Sequence, residues 1–201
     1  MTVVGPFETT GTSVNALFQR GGHLRRNMQA CIYNSLIMGW RVGIRFDGSG
    51  VCNDVNGGTV QLNTNIFSGN LTLADQTGGT VTPSPISYIS SNNTVYFDNS
   101  SVQLTSPFAI YPNVPLPANN VSNWISFILL PALSGSDFSN PNLSGFEAVS
   151  YRGALGTINW TIGWSQFNPI NYQIPVTSNY FITLFPEGFY NTATGKLYNP
   201  D

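Results

Sequence analysis

Charged side chains are scarce in this sequence. Asp, Glu, Lys and Arg make up 8% of its 201 residues, against about 25% in ordinary soluble domains. Hydrophobic residues still make up 41%, which is enough for a core and argues against disorder. The net charge of −2 is too small to predict a partner of opposite charge.

The few cations are concentrated near the N-terminus. Five of the seven lie between Arg20 and Arg45, and residues 46–151 contain no Lys, Arg or His. Acid unfolds proteins mainly by protonating carboxylates that are paired in the native state. With only nine carboxylates, the chain offers acid little to disrupt. We therefore expect either a protein that faces an acidic exterior or a β-rich surface protein without exposure to acid.

Side chains of the kind that enzymes use are also few. His23 is the only histidine, and its arginine neighbours favour surface binding over the general-base role of a Ser-His-Asp triad. One histidine and two distant cysteines do not make a strong zinc site. Residues 47–54 resemble a calcium loop only superficially, because Val51 and Gly58 stand where ligands belong. We predict a non-enzymatic protein with no catalytic residue, cofactor or metal.

Two other function classes stay open. A glycoside hydrolase needs two carboxylates that converge on a sugar, and the sequence offers Glu147 and Glu187 without a partner for either. A carbohydrate- or receptor-binding β-sandwich module needs exposed aromatic side chains, for which Phe189, Tyr190 and Tyr198 are candidates.

No export signal or membrane span is recognised. Residues 1–13 lack a positive start and an apolar run, and the apolar stretch 28–40 is shorter than the about 20 residues that cross a bilayer. Cys31 and Cys52 are the only cysteines. They predict either one disulfide that closes a loop of about 20 residues and stabilises by about 3 kcal/mol, or two buried free thiols.

Periodicity predicts an all-β fold, a single β-sandwich or jelly-roll-like domain with one short N-terminal helix and no internal repeat. The helix is expected over residues 24–38, where apolar residues recur at helical spacing, with a buried strand at 30–38 as the alternative. From residue 41 the period changes to two. The predicted strands are 41–46, 59–63, 70–73, 93–97, 101–104, 123–130, 146–152, 157–167 and 179–185, with a connector at 47–58 and a hairpin turn at 98–100.

The charge distribution suggests a division of the chain at residue 45. Residues 1–45 are interpreted as an extended arm and basic helix that dock on neighbouring subunits, and residues 46–201 as the sandwich body. An extended arm can add a strand to the open sheet edge of a neighbour. The predicted docking surface is Arg20, His23, Arg25 and Arg26, with phosphate binding or a merely solvated helix face as the alternatives.

Six sequons for N-glycosylation follow the basic segment, all after residue 69. Each has Asn, any residue but Pro, then Ser or Thr, and each falls in a predicted loop or on the polar face of a predicted strand. They indicate a glycan-coated outer face opposite a docking N-terminal face. The candidate sites are Asn70, Asn92, Asn99, Asn120, Asn142 and Asn159.

These features together resemble structural proteins of viruses that infect hyperthermophilic acidophilic archaea. The cation-free span 46–151, the sequon-bearing turns such as SNNTVYFDNSS (91–101) and the unrecognised signal carry the resemblance, which is one of composition and style over the whole chain. It implies a homo-oligomeric tail, nozzle, turret or vertex component at the surface of the virion. Its partners would be copies of itself, other virion proteins and host surface glycans, without specific nucleic-acid binding.

Overall fold

The computed structural model divides the chain into two compact units, Met1–Phe167 and Asn168–Asp201. The structure describes residues 1–105, 107–108, 131–158 and 160, together with the backbone of three strands in the second unit. The strand predicted at 123–130 and most of that predicted at 157–167 lie outside the described residues.

Short strands that pair in parallel form the three sheets described in the first unit. Sheet A has the order β1-β4-β7-β9, sheet B the order β2-β5-β8, and sheet C pairs β3 with β6. The elements are β1 (Thr2–Val4), β2 (Arg20–Arg25), β3 (Cys31–Tyr33), β4 (Leu36–Met38), β5 (Val42–Asp47), α1 (Ser49–Asn56), β6 (Gln61–Asn63), β7 (Ile66–Ser68), β8 (Thr72–Thr77), α2 (Pro85–Asn92) and β9 (Thr94–Tyr96).

The register of these pairs shows that the chain winds as a solenoid. Cys31 pairs with Gln61, Leu36 with Ile66 and Val42 with Thr72, so in all three sheets one full coil is followed by the next at a spacing of 30 residues. Coil 1 runs through β3, β4, β5 and α1, and coil 2 through β6, β7, β8 and α2. In sheets A, B and C, strands that follow one another in sequence therefore do not pair; each pairs with the equivalent strand of the next coil.

The predicted all-β sandwich or jelly roll is therefore wrong. The described part of the first unit is mixed α/β, with three parallel sheets and two α-helices. The period of two in the sequence was genuine, because Val42, Ile44 and Phe46 of β5 point into the core. That alternation is shared by sandwiches and solenoids, so it could not distinguish between them. The repeat that was not recognised is the distinguishing feature.

The predicted helix over 24–38 is also wrong. This segment contains the end of β2 and the whole of β3 and β4, with a corner at Asn34, where φ is 49°. The alternative of a buried strand at 30–38 was closer to the structure. All three residues of β4 are buried, because sheet A is covered on both faces, which removes the alternation that identifies a half-buried strand.

A helix occurs where a connector was predicted, and a 3-10 helix where a hairpin turn was predicted. Helix α1 places Val51, Cys52 and Val55 in the core, a spacing that fits one helical face. The segment 98–100 forms no hairpin, because the Asp98 side chain accepts a hydrogen bond from Ser101 N and caps the 3-10 helix Asn99–Val102. The strand predicted at 101–104 is largely replaced by that helix, and none forms at 146–152.

The core lies between the three sheets and the two helices. Its largest fully buried side chains include Phe46 and Phe67. The ring of Tyr88 on α2 packs edge-on against Phe46, with the two ring centroids 6.0 Å apart. The Tyr88 hydroxyl donates to Val60 O and accepts from Leu62 N. A side chain of α2 thus binds backbone groups along the β6 edge of sheet C, where a third strand would otherwise pair.

A second cluster covers the outer face of sheet A. Leu36, Met38 and Ile66 pack there against Val102 and Ala132, which belong to the segments that follow β9. These segments include the 3-10 helices Pro131–Leu133 and Pro141–Leu143.

The buried Arg152 joins the covering segment to sheet A, and no carboxylate among the described residues pairs with it. Its guanidinium donates to Ser134 O, to Pro131 O and to the hydroxyl of Thr94 on β9. Burial lowers the pKa of this group, because desolvation disfavours the charged form.

The N-terminal arm pairs within its own chain. Strand β1 lies parallel to β4 as an edge of sheet A. The arm, which was predicted to add a strand to a neighbouring subunit, thus adds this strand to a sheet of its own chain. The arm then continues to Phe7 and Glu8, whose carbonyl oxygens accept from Asn99 Nδ2 at 2.7 and 3.0 Å. The boundary predicted at residue 45 falls inside β5, and residues on its two sides share sheets.

The second unit contains an antiparallel sheet of the order β10-β11-β12. Its strands are β10 (Phe181–Phe185), β11 (Gly188–Asn191) and β12 (Lys196–Tyr198). The prediction of a strand at 179–185 is confirmed by β10.

Candidate functional site: the charged face of sheet B

Charged side chains, which are scarce in this chain, are concentrated on the outer face of sheet B. The parallel register aligns His23, Arg45 and Asp75 across β2, β5 and β8. Two positions further along the strands, the next row of outward-facing residues pairs Arg25 with Asp47. Strands whose paired residues lie 22 or 30 positions apart in the sequence thus place their few ionisable side chains side by side, which no local segment of the sequence reveals.

The charges on this face are paired across coils. His23 Nε2 lies 2.9 Å from Asp47 Oδ2, and Arg25 Nε donates to the same oxygen at 2.7 Å. Arg45 binds Asp75 with two hydrogen bonds, one of them from Nε to Oδ1 at 2.7 Å. Paired guanidinium and carboxylate groups that lie flat along neighbouring strands give a face that is polar but nearly neutral.

The pairing shifts the pKa of two groups, Asp47 and Arg45. The hydrogen bond from His23, followed by that from Arg25, holds the pKa of Asp47 below its usual range. The hydrogen bond to Asp75 raises the pKa of Arg45. In both cases the charged form is the one stabilised.

The predicted docking residues lie on a strand and the turn after it, not on a helix. Arg20, His23 and Arg25 belong to β2, whereas Arg26 is exposed in the following turn with φ at 58°. Asp47 neutralises part of this basic patch. Arg20 is half-buried, and its Nε has no hydrogen-bond partner among the described residues.

Both ends of sheet B are edges in the described part of the chain. Strand β2 pairs only with β5, and β8 pairs only with β5 on the other side. Each edge strand is six residues long. Unpaired backbone N–H and C=O groups on such edges are the usual template for pairing with another chain.

The sequon residues occupy different environments. Asn70 Nδ2 donates to Ile37 O, and Asn99 Nδ2 donates to two carbonyls of the arm, so a glycan on either nitrogen would replace these hydrogen bonds. Asn92 and Asn142 are exposed. Asn120 and Asn159 lie outside the described residues.

The two cysteines are free thiols, so the predicted disulfide is absent. Cys31 is exposed and donates to Thr59 O, whereas Cys52 is buried in the core. Burial raises the pKa of the Cys52 thiol. The open alternative of two buried thiols fits Cys52 but not Cys31.

Among the described residues, no group of three or more His, Cys, Asp or Glu side chains is arranged to hold a metal ion. In the same part of the chain, no helix has the length and apolar character needed to span a bilayer. The candidate carboxylate Glu147 is exposed in a loop, and Glu187 lies outside the described residues, as do the side chains of Phe189, Tyr190 and Tyr198.

Comparisons of the chain with protein-family models, curated proteins and solved structures gave no match.

Proposed function

We propose that this protein is a non-enzymatic structural component of a virus particle, assembled from copies of itself as a tail, nozzle or vertex element. The observation that carries the proposal is the pair of six-residue strands, β2 and β8, that form the two edges of sheet B in the described part of the chain. Parallel strand addition between copies would join the β8 edge of one copy to the β2 edge of the next.

Charge complementarity supports this head-to-tail contact. The row that crosses sheet B runs His23, Arg45, Asp75. A second copy added in register beyond β8 would place its His23 beside Asp75, so that the row continues with opposite charges as neighbours when the imidazole is protonated. The same addition would avoid placing two carboxylates or two guanidinium groups side by side.

The scarcity of charge over the rest of the surface favours assembly as well. Removing charged groups from water is costly, and interface cores are depleted of them. A head-to-tail contact uses two different surfaces, so it closes into a ring or continues as a filament. Either form is a homo-oligomer, as the resemblance to virion tail, nozzle or vertex components implies.

Edge lysines provide a direct test of the proposed contact. Thr72 and Thr77 are exposed on the edge strand β8, and lysine on an edge opposes strand addition. We expect light scattering of the wild type to show a multimer of the 21.8 kDa chain, and the double variant Thr72→Lys/Thr77→Lys to be monomeric.

The matched control adds two lysines at exposed positions outside sheet B, Thr59→Lys/Ser144→Lys. It changes the net charge by the same amount and should leave the multimer intact. A wild type that stays monomeric at every concentration, or an edge variant that stays multimeric, would contradict the proposal.

A further inference from the structure

An exposed aromatic ring stands beside a depression at one corner of the solenoid. Phe97 follows β9 directly, and it is 95% exposed. It borders a depression of about 200 Å³. The polar side chains around it come from the N-terminal arm and from the segment that follows Phe97; they are Glu8, Thr9, Thr10, Asp98, Asn99 and Ser100.

The depression is held in shape by buried hydrogen bonds. Asn99, which is 8% exposed, donates from Nδ2 to Phe7 O and Glu8 O and so fixes the arm to the end of β9. Its amide lies against Gly69, where an added Cβ would come within 2.3 Å of it. On the other side, Asp98 accepts from Ser101 N at 2.9 Å and orders the residues after the ring. The polar wall is therefore in place before any ligand arrives, which lowers the entropic cost of binding.

From this arrangement we infer that the corner formed by Phe97, Glu8 and Asp98 binds a single neutral sugar ring of a glycan. A pyranose has an apolar C–H face, which would cover the exposed ring of Phe97 and remove apolar surface from water. Its hydroxyls would donate to the two carboxylates and exchange hydrogen bonds with the Thr and Ser hydroxyls. The volume lies below the about 300 Å³ of the smallest drug-sized pockets, which suits one ring.

The charges around the depression select against acidic sugars. Glu8 and Asp98 are carboxylates, and no cation is among the described residues that line it. A uronate or a sulfated sugar would bring a like charge next to them. The inference does not rest on the proposed assembly, because the corner is separate from the β2 and β8 edges of sheet B.

Titration calorimetry on the full chain tests the inference with three probes: mannotriose, cellotriose and trigalacturonate. We expect at least one neutral trisaccharide to bind about tenfold or more tightly than trigalacturonate, a difference of about 1.4 kcal/mol. Phe97→Ala should weaken that binding at least tenfold, whereas Phe97→Trp should retain it, since indole keeps the aromatic face.

Phe146→Ala is the matched control. Phe146 is 67% exposed outside the depression, so its removal should leave sugar affinity unchanged. The inference is overturned if no neutral trisaccharide binds, if trigalacturonate binds more tightly, or if Phe97→Ala binds as the wild type does. It is also overturned if Phe97→Ala lowers the multimer mass and leaves sugar affinity unchanged, because Phe97 would then be a contact between copies.

Discussion

At the scale of single residues, asparagines at the corner before sheet A hold successive coils together. Asn65 is fully buried; its Oδ1 accepts from Ser35 N, and its Nδ2 donates to Ile32 O and Asn93 Oδ1. Asn93 in turn donates to Leu62 O. A buried polar side chain is stable only when its groups are paired. Here the pairing connects coil 1, coil 2 and the segment between α2 and β9.

Replacing Asn65 by alanine should therefore be costly. The variant leaves Ser35 N and Ile32 O without partners inside the core, and each such loss costs about 1–3 kcal/mol. We expect Asn65→Ala to lower the free energy of unfolding by about 2–4 kcal/mol, measured by urea denaturation. Asn92→Ala, at an exposed position, should change it by less than about 0.5 kcal/mol; equal effects would contradict this role.

The ion pairs on sheet B give stability a pH dependence whose sign is fixed. The pKa of Asp47 is lowered in the folded protein, first by His23. A lowered pKa contributes stability that is present above the unfolded value of about 3.9 and is lost as pH falls through the folded pKa. We expect Asp47→Asn to lose less stability than the wild type between pH 6 and pH 2.5.

Urea denaturation at the two pH values measures this difference. The control is Glu147→Gln, which removes an exposed carboxylate that makes no ion pair with a described residue. It should keep the wild-type pH dependence. If Asp47→Asn and the wild type lose the same stability, the ion pair does not contribute as described.

At the scale of elements, the corner glycines set the path of each coil. Gly69 has φ at 55°, and a Cβ there would meet the Asn99 amide at 2.3 Å. Gly58 also has a positive φ, 78°, but a Cβ there would meet nothing within 4 Å. The two positions share the backbone strain of an added side chain and differ in the space available.

We expect Gly69→Ala to destabilise the protein by more than Gly58→Ala. Strain at a positive φ costs on the order of 1 kcal/mol for either alanine, and the overlap with Asn99 adds to this only at Gly69. Thermal unfolding of both variants measures the difference. Equal shifts in Tm would show that Asn99 moves aside at little cost.

The sequence predicted some elements and missed others for physical reasons. The alternation in 41–46 predicted β5 correctly, because one face of that strand meets the core and the other meets water. The 30-residue repeat was hidden because stacked positions keep only their general character: Leu36 stacks on Ile66, but Met38 stacks on Ser68. After coil 2, the sequence distance between paired residues shortens to 28, since Ile66 pairs with Thr94.

The candidate site was predictable only in part. The clustering of cations near the N-terminus drew attention to His23 and Arg25, but their common partner Asp47 lies more than 20 residues further on and was placed in a connector. The sequon pattern likewise did not separate an exposed Asn92 from Asn99, whose side chain holds the arm. Local patterns do not report which residues a parallel register brings together.

At the scale of the whole molecule, the solenoid gives stability with few charges. Parallel ladders, buried corner asparagines and a core closed by two helices hold the described coils. Such a construction leaves edges at its ends, as solenoids generally do unless a cap covers them. The proposed assembly joins those edges, so that each copy covers the open end of the next.

Cross-linking between copies tests this central claim most directly. In a background with the exposed Cys31 replaced by serine, one preparation carries Arg25→Cys on β2 and another carries Thr77→Cys on β8. Because Asp47 pairs with both positions across sheet B, an in-register second copy would bring Arg25 of one chain beside Thr77 of the other. A short bismaleimide should then join the mixed preparations into covalent dimers and join neither preparation alone; no cross-link in the mixture, or equal yields in all three samples, would contradict head-to-tail assembly through sheet B.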